Sequence, residues 1–173
     1  MTEYPSVLGR IGGVWCLGFS GSPNDIADRA YAWTKAGFTV RTVRGRKMRH
    51  YRSLFDEFAP ALQFPWYFGE NGNAFDECMM DLSWLLPGRG YLFLITEAAQ
   101  TLIDTKDDGL TWLVRSLSSA ANGWANPVEL GQPSNPQPVP FHVVLQTDEH
   151  DKEITLAKWV SSGAVLEWLQ IKN

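Results

Sequence analysis

Gly18-Phe19-Ser20-Gly21-Ser22 is the first place where this chain could carry covalent chemistry. A nucleophile elbow reads Gly-x-Ser-x-Gly, because small flanking residues let the serine hydroxyl stand clear of a strand-to-helix turn. Here Ser22 occupies the closing glycine's place, so the motif fails. The same turn could cradle an anion on backbone N–H groups, but it has neither Gly-Lys-Ser/Thr nor G-x-G-x-x-G. The simpler expectation is a tight turn in which Asn24 or Asp25 caps the following helix. His50, His142 and His150 show no ligand-like spacing, and no H-E-x-x-H occurs. Cys16 and Cys78 lie in apolar runs without a C-x-x-C, so both are expected to be reduced core residues. No catalytic residue, metal or cofactor is therefore expected.

Charge is more informative. Arg41, Arg44, Arg46, Lys47, Arg49 and Arg52 follow one another with no acid between them. From Ser53 to Gly88 the order reverses, with Asp56, Glu57, Glu70, Asp76, Glu77 and Asp81 and no Lys or Arg. The basic run could touch phosphates, or it could be a solvated face or a partner for the acids. Asn73, Glu77, Met80 and Trp84 fall at i, i+4, i+7 and i+11, one stripe of a helix, with Asp76 and Asp81 beside it. Carboxylates beside large contact groups suit docking into a basic cleft. The plainer alternative is that the acids complement a helix dipole and that Asn73 with Asp76 forms a cap.

These residues need elements to hold them. Gly13–Phe19, Phe38–Val43, Tyr91–Ile95 and Phe141–Leu145 read as strands, the third a continuous apolar run of the kind found in buried parallel sheets. Helical patterns cover Ile26–Ala36, Arg49–Leu62, Asn73–Leu86, Ala98–Ile103 and Asp108–Ala121. In the third of these helices Phe75, Cys78, Met79, Leu82, Leu85 and Leu86 form the core stripe, opposite the acidic one. Pro127, Pro133, Pro136, Pro138 and Pro140 mark Asn126–Pro140 as a loop. The tail from Asp151 to Lys172 is ambiguous: Val165, Leu166, Trp168 and Leu169 suit a helix, while Ile154 and Leu156 suit alternation. Alternating strands and helices predict an α/β fold with a mostly parallel sheet of three to four strands, preceded by a strand–helix extension and followed by a tail.

Composition agrees with a packed domain. Apolar residues make up 45% of the 173, enough for a substantial core, so residues 1–173 are expected to form a single domain. A net charge of −4 argues against direct nucleic-acid binding. Met1-Thr2-Glu3-Tyr4-Pro5 lacks the pattern of a signal peptide, and no apolar run approaches the ~20 residues that span a bilayer. Cytoplasmic residence, without membrane contact, is the resulting expectation.

Phe64-Pro65-Trp66-Tyr67-Phe68-Gly69-Glu70-Asn71, followed by Ala74-Phe75 and Cys78-Met79 with Asp81-Leu82, resembles the motif of the barstar family. The likeness extends over about Phe38 to Asp148, carried by residues at Pro65–Leu82 and by the order of elements elsewhere. It implies a compact α/β domain that inhibits a barnase-type ribonuclease by plugging the active site with a loop and an acidic helix. By position, Tyr67 and Asn71 match the motif's loop Tyr and Asn. Asn73 stands where the first inhibitory acid would be, Glu77 where the second would be, and Asp76 replaces the aromatic before it. The implied docking surface is Tyr67, Asn71, Asn73, Asp76, Glu77, Met80 and Trp84. Its implied partner is a cognate protein, a secreted or delivered ribonuclease-like toxin, which would make the chain an immunity protein. An interaction module that inhibits no nuclease is the alternative, and an enzyme built on the Gly18–Ser22 turn is a third.

Overall fold

The computed structural model describes residues 4–106, 108–127 and 137–169. The strands are β1 (Cys16–Ser20), β2 (Thr39–Arg44), β3 (Tyr91–Thr96), β4 (Phe141–Thr147) and β5 (Leu166–Trp168). The helices are α1 (Pro23–Lys35), α2 (Tyr51–Ala61), α3 (Gly72–Asp81), α4 (Gly109–Ala125) and α5 (Lys152–Ser161). The strands form one sheet in the order β2-β3-β4-β1-β5, and every neighbouring pair is parallel.

That order explains the layers. The chain crosses from β1 to the far edge at β2, then winds back through β3 and β4 and passes β1 to reach β5. Right-handed crossovers taken in opposite directions put their helices on opposite faces. Side-chain alternation follows the same division. Cys16, Val43, Tyr91, Phe93, Ile95, Phe141, Val143 and Leu145 pack with the buried faces of α2, α3, α4 and α5. Leu17, Phe19, Leu92, Leu94 and Val144 pack with Ile26 and Trp33 of α1 and with Val7 and Leu8 of an N-terminal 3-10 turn.

The starts of α1 and α3 have local causes. Ser22 caps α1 by accepting from the Asp25 amide while the Asp25 carboxylate accepts from the Ser22 amide, a reciprocal pair that replaces the expected Asn24 or Asp25 cap. Asn71 caps α3, accepting from the Ala74 amide at 3.0 Å, so the cap lies two residues before the expected Asn73.

Several expected elements differ. α3 stops at Asp81 instead of reaching Leu86, because Leu82 takes a left-handed conformation at φ 41°. Ala98–Ile103 is only a 3-10 turn at Ala98–Gln100 followed by further turns. α4 runs to Ala125, four residues past its predicted end at Ala121. The tail resolves against both periodicities: Ile154 and Leu156 lie in α5, and Leu166 and Trp168 lie in β5. β5 therefore makes a fifth strand in the described sheet. Of the proline-rich loop, residues 128–136 lie outside the described residues.

Candidate protein-docking site

The segment before α3 sets two exposed rings between two half-buried ones. The Phe64 ring sits 4.9 Å from Phe68 and 6.0 Å from Phe75, edge to face. Phe68 also meets Phe55 of α2 at 5.7 Å. Between these anchors the Phe68 amide donates to the Pro65 carbonyl at 2.9 Å and closes a turn. The turn carries Trp66 and Tyr67 outward, 96% and 67% exposed, with their rings at 81° to each other and 5.9 Å apart. Glu70 sits at φ 48°, and Asn71 then starts α3, its Nδ2 donating to the Gly69 carbonyl at 3.1 Å.

Along α3 the two faces separate as the sequence pattern requires. Phe75, Cys78 and Met79 are buried. Asn73, Glu77, Met80 and Asp81 are exposed, and Asp76 is intermediate, with its Oδ1 buried and unpaired among the described residues. Burial, helped by the Asp81 and Glu77 charges, pushes the Cys78 thiol up. Burial, with Asp81 behind it, pushes the Tyr91 hydroxyl up to about 12. The negative field of α3 thus reaches the groups beneath it.

α3 lies against α4 at two glycines. A Cβ on Gly72 would come 3.3 Å from the Trp112 indole nitrogen, and one on Gly123 would strike the Met80 methyl and lie 2.9 Å from its sulfur. Met80 therefore rests on Gly123 with its outer side in solvent. Gly123→Ala is expected to swing the flexible Met80 end away at little cost, since a helix interior favours Ala over Gly by about 1 kcal/mol. The midpoint of thermal unfolding should stay level or rise, while partner binding that uses Met80 should weaken severalfold by calorimetry. Unchanged binding would remove Met80 from the surface.

Trp84 is not on the outward stripe. Because α3 ends early, its half-buried ring turns back against Phe64 at 6.3 Å, and its indole N–H donates to the Leu62 carbonyl at 2.8 Å. It holds the base of the aromatic turn. Of the sequence-derived set, Tyr67, Asn71, Asn73, Asp76, Glu77 and Met80 share the turn and α3, and Trp84 supports them from behind. Sequence reasoning passed over Trp66, although a tryptophan after proline in a turn, outside any core period, was a usable signal.

The other candidates are engaged elsewhere. Ser20 Oγ donates to the Glu149 carboxylate, not to a histidine. The reversal of winding between β4 and β1 is where parallel sheets of this kind usually bind ligands. Here the fully buried Gln146 fills it, donating to the Gly21 carbonyl at 2.6 Å and accepting from the Glu97 amide at 2.8 Å. Half of the basic run is paired with acids: Arg44 with Glu57 at 3.1 Å, Arg46 with Glu97 at 2.9 Å and Arg49 with Asp104 at 2.6 Å. Burial opposes ionisation of Glu57, but hydrogen bonds and charge from Arg44 win and hold it below its ordinary value.

Among the described residues no group of three or more His, Cys, Asp or Glu could hold a metal. Nor is any described helix long and apolar enough to cross a membrane. Two clefts, one beside Trp15 and Asn122 and one beside Lys158 and Asp108, measure about 220 Å³ each. Both fall below the roughly 300–1,000 Å³ usual for ligand pockets. Both cysteines are free, as expected.

Fold and surface together define a parallel α/β domain that presents one ordered aromatic turn and one acidic helix on its helical layer. The model of the family "Barstar (barnase inhibitor)" matches residues 38–146, more than half of the chain, and the chain belongs to that family. No curated protein matches it. Among solved structures it is similar to a chain in "Structure of Drosophila ORC bound to DNA", with a TM-score of 0.53 and 10% identity over 95% of this chain and 83% of that one. Two further Drosophila ORC chains, bound to GC-rich and to AT-rich DNA with Cdc6, match at TM-scores of 0.49 and 0.47 with 12% and 14% identity. Each of these matches covers 95% of this chain and 50% of the other. At such identities the first likeness concerns the fold alone.

Proposed function

We propose that the chain is a stoichiometric protein inhibitor of the immunity type, which blocks a ribonuclease or related toxin with the turn before α3 and the outward face of α3. The carrying observation is that the exposed Glu70, Glu77 and Asp81, all within the family match, take part in no ion pair among the described residues. Surface carboxylates left unpaired beside Tyr67 and Met80 complement a cationic cleft. A ribonuclease cleft that binds an RNA backbone is such a cleft. The reading places the inhibitor in the cytoplasm, acting by occupancy and not by catalysis. Asn73 and Asp76, neutral where the motif has an acid and acidic where it has an aromatic, favour a second reading: a docking module on the same surface that leaves nuclease activity untouched.

The deciding experiment titrates the chain into barnase-type ribonucleases and follows RNA hydrolysis. A break at one equivalent supports inhibition. Binding without loss of hydrolysis supports the module, and hydrolysis of RNA by the chain itself overturns both. With the inhibited enzyme in hand, Tyr67→Ala and Glu77→Ala should each cost about 2 kcal/mol, roughly thirtyfold in Kd. The fold should be little changed, since both side chains point away from the core. Rising salt should weaken binding, chiefly by slowing association. Arg46→Ala should matter little, because Arg46 already pairs with Glu97. The opposite ranking in calorimetry would move the site to the basic face.

A further inference from the structure

Trp66 is the most exposed large apolar side chain among the described residues, at 96%. The exposed Tyr31 ring has a cation over it, with Lys35 at 5.5 Å. No cation of the described residues covers Trp66, whose ring meets only Tyr67. Its backbone is nevertheless fixed. Pro65 restrains the residue before it, the turn closes on the Pro65 carbonyl, and the half-buried Phe64 and Phe68 pack against the core on either side. A large ring on a restrained backbone has only its two side-chain torsions to order on contact and offers on the order of 150–250 Å² of apolar area. Aromatic anchors of this kind dominate protein interfaces.

The surroundings say what would cover it. Glu70 follows four residues later, and Glu77 lies on the helix that the turn feeds. Neither takes part in an ion pair among the described residues, and no Lys or Arg occurs from Ser53 to Gly88. A lipid surface with anionic headgroups or a nucleic acid would be repelled. A basic protein would not.

We propose that Trp66 is the anchor of this docking surface and seats in an apolar slot beside the cationic cleft of a basic partner protein. The inference rests on the reading that the turn and α3 dock a partner, and it adds the residue that selects among such partners. A partner with the cleft but no slot would leave Trp66 stranded against polar groups and be rejected.

The test puts a photo-cross-linking p-benzoyl-phenylalanine in place of Trp66, and in a second sample in place of Tyr31, in cells of the encoding organism. The adduct is identified by mass spectrometry, and the purified partner is then titrated calorimetrically with the parent chain, Trp66→Ala and Trp66→Phe. Expected are an adduct from position 66 alone, a partner with an excess of Lys and Arg, and a loss of about thirtyfold or more in affinity for Trp66→Ala. The loss should be smaller for Trp66→Phe, with the melting temperature unchanged in both. No adduct at position 66, equal adducts from positions 66 and 31, an acidic partner, or Trp66→Ala binding within threefold of the parent would each overturn the proposal. A basic partner that is not a ribonuclease would sink the inhibitor reading and leave the anchor standing. A ribonuclease inhibited equally by Trp66→Ala would do the reverse.

Discussion

Phe75→Ala is expected to destabilise the domain by about 3–5 kcal/mol, the usual range for emptying a buried aromatic site. Phe75 is wholly buried on the underside of α3. Its ring lies 5.1 Å from Phe58, 5.5 Å from Trp112, 6.0 Å from Phe64 and 6.1 Å from Phe55. These partners come from α2, α4 and the aromatic turn, so one ring joins all the elements that frame the candidate surface. In a chain of this length the loss should lower the melting temperature by about 10 °C. Phe75→Leu keeps most of the volume and should cost about 1.5 kcal/mol or less. Denaturant titration of the three forms measures this. A cost below about 1 kcal/mol for Phe75→Ala would show that the ring cluster does not support α3.

The second large effect is alkaline. Cys16 is fully buried between β4 and β5, and burial pushes its thiol up to about 12 from an ordinary 9.0. Below pH 9 both folded and unfolded chains hold the proton. Between pH 9 and 12 only the folded chain holds it, so stability falls by about 1.4 kcal/mol per pH unit across that window. Tyr91, raised from 10 to about 12 by burial, adds a loss of the same sign above pH 10. Lys158 acts oppositely. Burial lowers its amine from 10.5 to about 8, so the unfolded chain binds more protons between pH 8 and 10.5, and this group's contribution to stability rises there. The Cys16 effect is therefore read as a difference. Urea unfolding of the parent and of Cys16→Ala from pH 8 to 11 should give curves that converge above pH 9, as the parent loses the thiol contribution. Parallel curves would refute it.

How much could be read from the sequence depended on how far each signal was local. Tyr91–Ile95 could be placed locally, because a short apolar run rich in aromatic and β-branched residues, opened by Gly88 and Gly90, suits a strand covered on both sides better than a helix. The core stripe Phe75, Cys78 and Met79 followed from helical spacing alone. The end of α3 did not. Leu82, Leu85 and Leu86 continue the period, and nothing local announces that Leu82 adopts a left-handed backbone. Trp84 was misplaced for the same reason, being drawn onto the acidic stripe when its indole serves the Leu62 carbonyl. The tail failed in the opposite sense. Three residues of β5 are too few to show a period, and their strand state is set by pairing with β1 across more than a hundred residues of chain. Trp66 went unassigned because its one local signal, a tryptophan after proline outside any core period, says where the ring does not pack and leaves its exposure to the folded surface.

The hydrogen bond from the Trp84 indole to the Leu62 carbonyl has a consequence for how a complex would form. It ties down the segment entering the aromatic turn, as the Asn71 cap ties down the segment leaving it. A segment fixed at both ends has no folding left to do when another molecule arrives. Association at this surface would then approach a collision of rigid bodies, with a heat-capacity change that follows the contact area without the surplus that coupled folding adds. The lifetime of such a complex would be set by the fit of the two surfaces and not by the time the turn spends in the right shape.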